Sequence, residues 1–375
     1  MSKALGRKEI MSMESLSYQL LQGHSIDVLK TVPDNVVQCT VTSPPYYMLR
    51  EYDAKPVKWE DGWKGNLGRE KTPELFVEHV KQIFEQVRRV TRDDGVLWLN
   101  IGDTSVKKPM GKYKKKDLIG IPWMVAFALR DAGWHLRMDI IWEKTSPMPD
   151  GATDRPTRGH EYIFLFSKSE DYFYDLDAIA EPIKDPGKKR AFSKPGNKDR
   201  NDTGAVYDPT GRFTKNKRSV WSLSHEGYSG AHFAVMPTQM AELCIKAGTP
   251  LIGCCSKCHM PWKRTVDTRR VATRPAKKSK VKGKTTATTG NRDPKRHIKE
   301  KISERWSKQC DCASGDNVPA IVLDPFSGSG TTGYSALKLG RNYLGIELSE
   351  EYLEQSRRRL SPITDGMFVS EEELY

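Results

Sequence analysis

Residues 320–347 constrain the fold of this chain more than any other stretch. Ala320-Ile-Val-Leu-Asp324 is apolar and partly β-branched, which suits a buried strand, and it runs into the turn Pro325-Phe326-Ser327-Gly328-Ser329-Gly330-Thr331-Thr332. Helical spacing follows through Ala336, Leu337 and Leu339, and a second apolar strand, Tyr343 to Ile346, ends in Glu347. The glycines let the backbone come close to a ligand, and the helix N-terminus favours a negative group such as a carboxylate. An acidic side chain at the end of the second strand is placed to bind ribose hydroxyls. No Gly-Lys-Ser/Thr follows the glycines, which argues against a phosphate-cradling nucleotidase loop. The stretch fits S-adenosylmethionine, with its methionine end at Asp324 to Gly330 and its ribose at Glu347. The candidate cofactor-binding residues are therefore Asp324, Pro325, Phe326, Gly328, Gly330, Thr331, Thr332 and Glu347.

A second strand, Val36 to Val41, leads to Ser43-Pro44-Pro45-Tyr46-Tyr47. Two prolines fix φ and remove two ladder donors, so the strand stops abruptly in a stiff loop. In open α/β sheets such a loop lies at the C-terminal strand edge, where ligands bind. The carbonyls of Ser43 and Pro44 face no neighbouring proline N–H and can accept the two hydrogens of an exocyclic amino group. Holding those hydrogens would aim the nitrogen lone pair at an electrophile. Tyr46 would offer a π-face to a base removed from its helix. Ser43, Pro44, Pro45 and Tyr46 are the candidate catalytic residues, against the plainer reading of a tight turn with a packed tyrosine.

The net charge of +13 is not spread evenly. Between His259 and Gln309 there are 17 Lys and Arg against 4 Asp and Glu, so this one segment holds the whole excess. Such concentration points to a polyanionic partner, although charge runs also occur simply as solvated chain. Cys255-Ser-Lys-Cys258 precedes the segment and Cys310-Asp-Cys312 ends it, two pairs that can give four thiolates to a structural zinc. Cys254 is an alternative to Cys255, while Cys39 and Cys244 fall on apolar faces. No apolar run is long enough to span a bilayer and no signal peptide opens the chain, which predicts a cytoplasmic protein with reduced cysteines.

Along the chain, strands are expected at Leu16 to Leu21, Val96 to Ile101, Leu136 to Trp142 and Tyr162 to Phe166. Helices are expected from Pro73, capped by Thr72, to the Asp93-Asp94-Gly95 stop, over Leu118 to Ala132, and over Pro237 to Ala247 with Met240, Leu243 and Cys244 facing inward. Leu49 to Thr72 reads as a mobile loop able to close over a site, and Lys107 to Asp117 as an exposed basic loop. Residues 183–217 are polar and irregular. Strands alternating with helices predict an α/β fold, a mostly parallel sheet covered by helices on both faces with a small zinc-clipped basic insertion. The expected domains are a catalytic one over 1–250 and 313–375, with 183–230 as target-recognition region, and the insertion over 251–312.

Thr42-Ser-Pro-Pro-Tyr46 near the N-terminus and Asp324-Pro-Phe-Ser-Gly-Ser-Gly-Thr-Thr332 near the C-terminus resemble the amino-group DNA methyltransferases. The order, catalytic loop first and cofactor loop last, is similar to their β class. His160 to Lys168 resembles that class's later strand near the target base, and His232 to Gly248 its helix before the cofactor loop. The resemblance implies a Rossmann-like methyltransferase fold and methyl transfer from S-adenosylmethionine to an exocyclic amino nitrogen of double-stranded DNA. Ser before Pro-Pro-Tyr favours cytosine N4, with adenine N6 as the alternative. RNA or protein amide methylation and a non-catalytic zinc DNA-binding module are the further alternatives. The family also suggests a homodimer and a cognate restriction endonuclease as partners. One departure is Gly23-His24, where the family usually has Gly-Asp near the cofactor adenine.

Overall fold

The structure is a computed structural model that describes residues 16–49, 54–147, 149–182, 206–207, 213–224, 236–272, 297–313 and 315–364. The chain divides into two compact units, one of residues 1–175, 218–262 and 308–375, the other of residues 176–217 and 263–307. Of residues 251–312, expected as one insertion, 251–262 and 308–312 therefore lie in the first unit and 263–307 in the second. Of the expected target-recognition region, 183–205, 208–212 and 225–230 lie outside the described residues.

The first unit is built on eight strands: β1 (Tyr18–Gln22), β2 (Val37–Thr42), β3 (Thr91–Ile101), β4 (His135–Lys144), β5 (His160–Ser167), β6 (Val220–Leu223), β7 (Ile321–Asp324) and β8 (Asn342–Glu347). Their order across the sheet is β1-β8-β7-β2-β3-β5-β4-β6. Every pair is parallel except those made by β5, which runs antiparallel to both β3 and β4. The expected mostly parallel sheet is thus observed. Among the described residues no helix is long and apolar enough to cross a membrane.

Alternation along the strands sends apolar side chains to both faces. Leu97, Leu99 and Ile101 of β3 join Leu323 and Ile346 in a core with three helices, α1 (Ser25–Leu29), α2 (Pro73–Val90) and α3 (Ile121–Asp131). The intervening Val96 and Trp98, both buried, face the other way. There α4 (Thr238–Gly248) comes so close that a Cβ on Gly248 would lie 2.7 Å from Cys39 Sγ and 2.8 Å from Val96. Helices α5 (Thr331–Lys338) and α6 (Glu350–Thr364) follow β7 and β8. The α2 start is as expected, with Pro73 in the first turn and the Thr72 hydroxyl accepting from Leu75 N–H. Helix α3 begins only at Ile121, because Gly120 is left-handed and the Asp103 carboxylate accepts from the Gly120 and Ile121 amides.

The expected mobile loop before α2 is, over residues 54–72, packed structure. Trp59 is buried and stacks on the buried His79 ring at 3.9 Å, and His79 is bracketed by Glu70 at 3.0 Å and Asp61 at 3.3 Å. Aromatic burial offsets the glycines and charges that suggested mobility.

The second unit holds a five-stranded sheet. Lys263–Ala272 and His297–Ser307 form an antiparallel hairpin, and Lys299 and Glu300 pair in parallel with Val206 and Tyr207. Phe213–Lys215 and Glu181–Pro182 complete it. Residues 263–272 and 297–307 of the basic segment thus share one sheet with 181–182, 206–207 and 213–215.

Candidate active site

From β7 the chain crosses through α5 to β8 on one side, and from β2 through α2 to β3 on the other. The strand order therefore reverses between β7 and β2, which opens a crevice at their C-terminal ends. Both loops singled out in the sequence lie at this crevice. Thr42 Oγ1, at the end of β2, donates to Asp324 Oδ1, at the end of β7, over 2.6 Å. Thr332 Oγ1 donates to the Val41 carbonyl at 3.1 Å, and Ser25 Oγ to the Pro325 carbonyl at 2.8 Å. Segments nearly 300 residues apart are thus joined by buried hydrogen bonds, each costly to leave unmade.

A cavity of about 440 Å³, ordinary for a small-molecule site, is lined by residues of both loops. Ser43, Pro44, Pro45 and Tyr46 contribute from one side; Asp324, Pro325, Phe326, Gly328, Thr331, Thr332 and Glu347 contribute from the other. Gly330 does not line it. This residue is left-handed (φ +76°), and a Cβ there would lie 2.9 Å from Ser356 Oγ, so its glycine serves the packing of α6 against the turn.

Burial raises the Asp324 carboxyl to about 6; bonds from Thr42, the Phe326 amide and Thr332 hold it down, and Glu347 adds to the rise. Glu347 is raised by burial too, against the amides of Ser349, Gly328 and Leu348. Its two oxygens accept from Gly328 N–H at 2.8 Å and Ser349 N–H at 2.9 Å. A carboxylate has about four acceptor positions, so these bonds orient Glu347 and still leave capacity for hydroxyl donors.

The Ser43–Tyr46 side carries a network that sequence reasoning missed. Tyr46 Oη donates to Glu161 Oε2 at 2.6 Å and lies 3.1 Å from Asn100 Oδ1, while Ser43 Oγ donates to Tyr46 Oη at 3.2 Å. Lys144 Nζ donates to Glu161 Oε1 at 2.6 Å, and Asn100 Nδ2 to the Tyr162 carbonyl at 3.1 Å. A Cβ on Gly102 would lie 2.6 Å from the Tyr46 ring, so Gly102 makes room for that ring. Asn100, Lys144, Arg158 and Glu161 all line the cavity. The one available hint was polar residues at the ends of apolar strand runs, which marks Asn100 and Glu161 but not Lys144.

His24 also lines the cavity. Its ring meets Trp59 edge-on at 4.7 Å, and burial lowers its pKa, so the neutral imidazole is favoured at neutral pH.

Away from the cavity, one metal-ligand atom from each of Cys255, Cys258, Cys310 and Cys312 lies within 4.8 Å of the others. Burial pushes the Cys255 thiol up, but the Cys258 and Lys257 amides and the neighbouring thiols bring it down to about 6. Cys254 stands outside the cluster, on a short strand paired with Val318, and burial raises it to about 12. Cys255, not Cys254, is thus the fourth candidate ligand. Arg92 ties this knuckle to the start of β3 through the Cys258 carbonyl at 3.0 Å.

A family model described as DNA methylase, of the N6/N4 type, matches residues 37–253 and 263–358. The chain is 32% identical to the type II methyltransferase M.SmaI of Serratia marcescens over 374 residues, covering 94% of each protein. It is also 32% identical to the type II methyltransferase M.Cfr9I of Citrobacter freundii, over 91% of this chain and 87% of that one. Among solved structures, the PvuII DNA methyltransferase, described as cytosine-N4-specific, aligns with a TM-score of 0.53 at 16% identity, over 94% of this chain and 91% of that one, a likeness of fold. With the family pattern spanning most of the chain and both of its loops in one cleft, the protein belongs to the N6/N4 amino-group DNA methylases, S-adenosylmethionine-dependent methyltransferases of DNA.

Proposed function

We propose that the protein methylates the N4 amino group of cytosine in duplex DNA, after extrusion of the base into the cleft between β7 and β2. The observation that carries this reading is the single cavity bounded by Ser43 to Tyr46 on one wall and Asp324 to Glu347 on the other. On the cofactor wall, the Gly328–Gly330 turn and the α5 N-terminus receive the carboxylate end of S-adenosylmethionine, and Glu347 accepts its ribose hydroxyls. When bound, that molecule supplies an electrophilic sulfonium methyl group.

On the other wall, the Ser43 and Pro44 carbonyls accept the two amino hydrogens and direct the nitrogen lone pair outward. Tyr46, held at its hydroxyl by Glu161, gives the base a stacking face. The methylated nitrogen carries positive charge and sheds its proton readily, so a rigid set of acceptors suffices and no strong base is required. Ser43 ahead of Pro-Pro-Tyr favours cytosine over adenine.

The four clustered cysteines are read as a structural zinc site. Tetrahedral thiolate coordination needs sulfurs about 4 Å apart and leaves no open position for chemistry; the observed grouping within 4.8 Å suits it. Affinity for DNA phosphates is assigned to the basic hairpin unit, and a restriction endonuclease of matching specificity is the expected partner, since the relatives are type II methyltransferases.

Mass spectrometry of nucleosides from the DNA of an expressing host tests the base assignment. N4-methylcytosine is expected. N6-methyladenine alone would refute the cytosine assignment, and no methylated base in an active preparation would refute DNA as substrate.

A further inference from the structure

We infer that Lys144, oriented by Glu161, reads the ring carbonyl of the extruded base and so selects cytosine over adenine; this rests on the cleft's taking an extruded base, as proposed above. The geometry is set by one carboxylate. Glu161 accepts from Tyr46 Oη with one oxygen and from Lys144 Nζ with the other, each at 2.6 Å. The ammonium therefore stands two hydrogen bonds from the phenol of the aromatic platform. Neither side chain is free to drift, since those of Lys144 and Glu161 are 19% and 14% exposed. Lys144 is further fixed by its backbone bond to the Gly159 carbonyl at 2.8 Å, and its Nζ lies 5.1 Å from the Trp142 ring.

An ammonium has three N–H donors, and Glu161 takes one. Along the edge that begins with the amino group, cytosine presents the amino group, an acceptor nitrogen and a carbonyl oxygen. Adenine presents the amino group, an acceptor nitrogen and a C–H. With the amino group held by Ser43 and Pro44 in either case, the two bases differ at the third position. A cation there gains a hydrogen bond from cytosine and faces a carbon with adenine, which strands a partly desolvated charge. Glu161 is a positioning residue in this scheme, and the lysine keeps its negative charge from repelling the carbonyl oxygen.

The test uses the full chain and two duplexes, one carrying the methylation site mapped from host DNA and one with adenine in place of the target cytosine. For K144M, methylation of cytosine is expected to fall at least tenfold while methylation of adenine holds or rises as the stranded charge is removed, so that the preference narrows. S-adenosylmethionine affinity should stay unchanged and K144R should regain most of the preference. The double variant K144M/E161Q leaves no unpaired buried carboxylate and should show the same narrowing, which separates base reading from a folding defect. Wild type that methylates cytosine, with a cytosine-to-adenine ratio unmoved in K144M and in the double variant, overturns the role of Lys144 alone. Wild type that methylates only adenine overturns this inference and the cytosine assignment together.

Discussion

The two units of the molecule differ most in charge. Residues 176–217 and 263–307 hold 26 Lys and Arg against 10 Asp and Glu, whereas the rest of the chain holds 35 against 38. The near-neutral unit carries the eight-stranded sheet, the cleft and the cysteine cluster; the basic unit carries a small sheet centred on one long hairpin. Separating the charge in this way lets the cleft be built from buried, mutually hydrogen-bonded groups, while the positive charge is concentrated elsewhere. The chain passes from the first unit to the second after Asp175 and again after Trp262, returning at Arg218 and at Lys308; the later two of these four crossings fall between the two cysteine pairs.

If the units divide the labour as their composition suggests, damage to each should read out differently. The largest effect is expected from Asp324→Ala, which strips the acceptor from Thr42 Oγ1 and from the Phe326 amide. Two donors left unmet, one buried and one partly buried, should cost about 2–4 kcal/mol, seen as an earlier thermal unfolding together with loss of S-adenosylmethionine binding by calorimetry. Next, Cys258→Ser should remove about one equivalent of zinc by elemental analysis and lower the unfolding temperature, since metal affinity is folding energy; a full zinc complement in the variant would argue against the four-cysteine site. A smaller effect belongs to the second unit. Lys263 and Arg305 are exposed there, and Lys263→Gln with Arg305→Gln should weaken DNA binding and flatten its dependence on log salt by up to about one per lost phosphate contact. Cofactor affinity should not move; if it does, the division of labour fails.

The smallest effect is a pH dependence. The Asp324 carboxyl is raised by burial from 3.8 to about 6, so between those values the folded state holds more protons than the unfolded chain. Stability of the wild type relative to Asp324→Asn should therefore fall as pH rises through that window and level off above it, as urea unfolding at several pH values would reveal.

Local signals carried much of this structure. The Thr72 cap and Pro73 fixed the start of α2, and the glycine turn with Glu347 marked half of the cleft, because each depends on residues adjacent in sequence. Asp93-Asp94-Gly95 misled, since those residues continue β3. Asp94 is satisfied there by Arg92, and Gly95 is needed where a Cβ would lie 2.6 Å from Thr91 and 2.9 Å from the Gln38 carbonyl. The Tyr46, Asn100, Lys144 and Glu161 network was illegible for a different reason. It exists only because β5 inserts antiparallel between β3 and β4, which brings three strand ends to one phenol. The short strands 206–207 and 213–215, which pair with each other, were likewise hidden, because their remaining partners lie far away in the hairpin and in 181–182.

The most direct test is S-adenosylmethionine affinity, measured by calorimetry on Tyr46→Ala and Glu347→Ala side by side. Binding within about twofold of wild type is expected for the first, whose methylation rate should nonetheless drop about tenfold to a hundredfold with the loss of base stacking, and binding at least tenfold weaker is expected for the second. Equal losses of affinity in both, or a loss confined to Tyr46→Ala, would contradict a cleft in which one wall seats the methyl donor and the other the base.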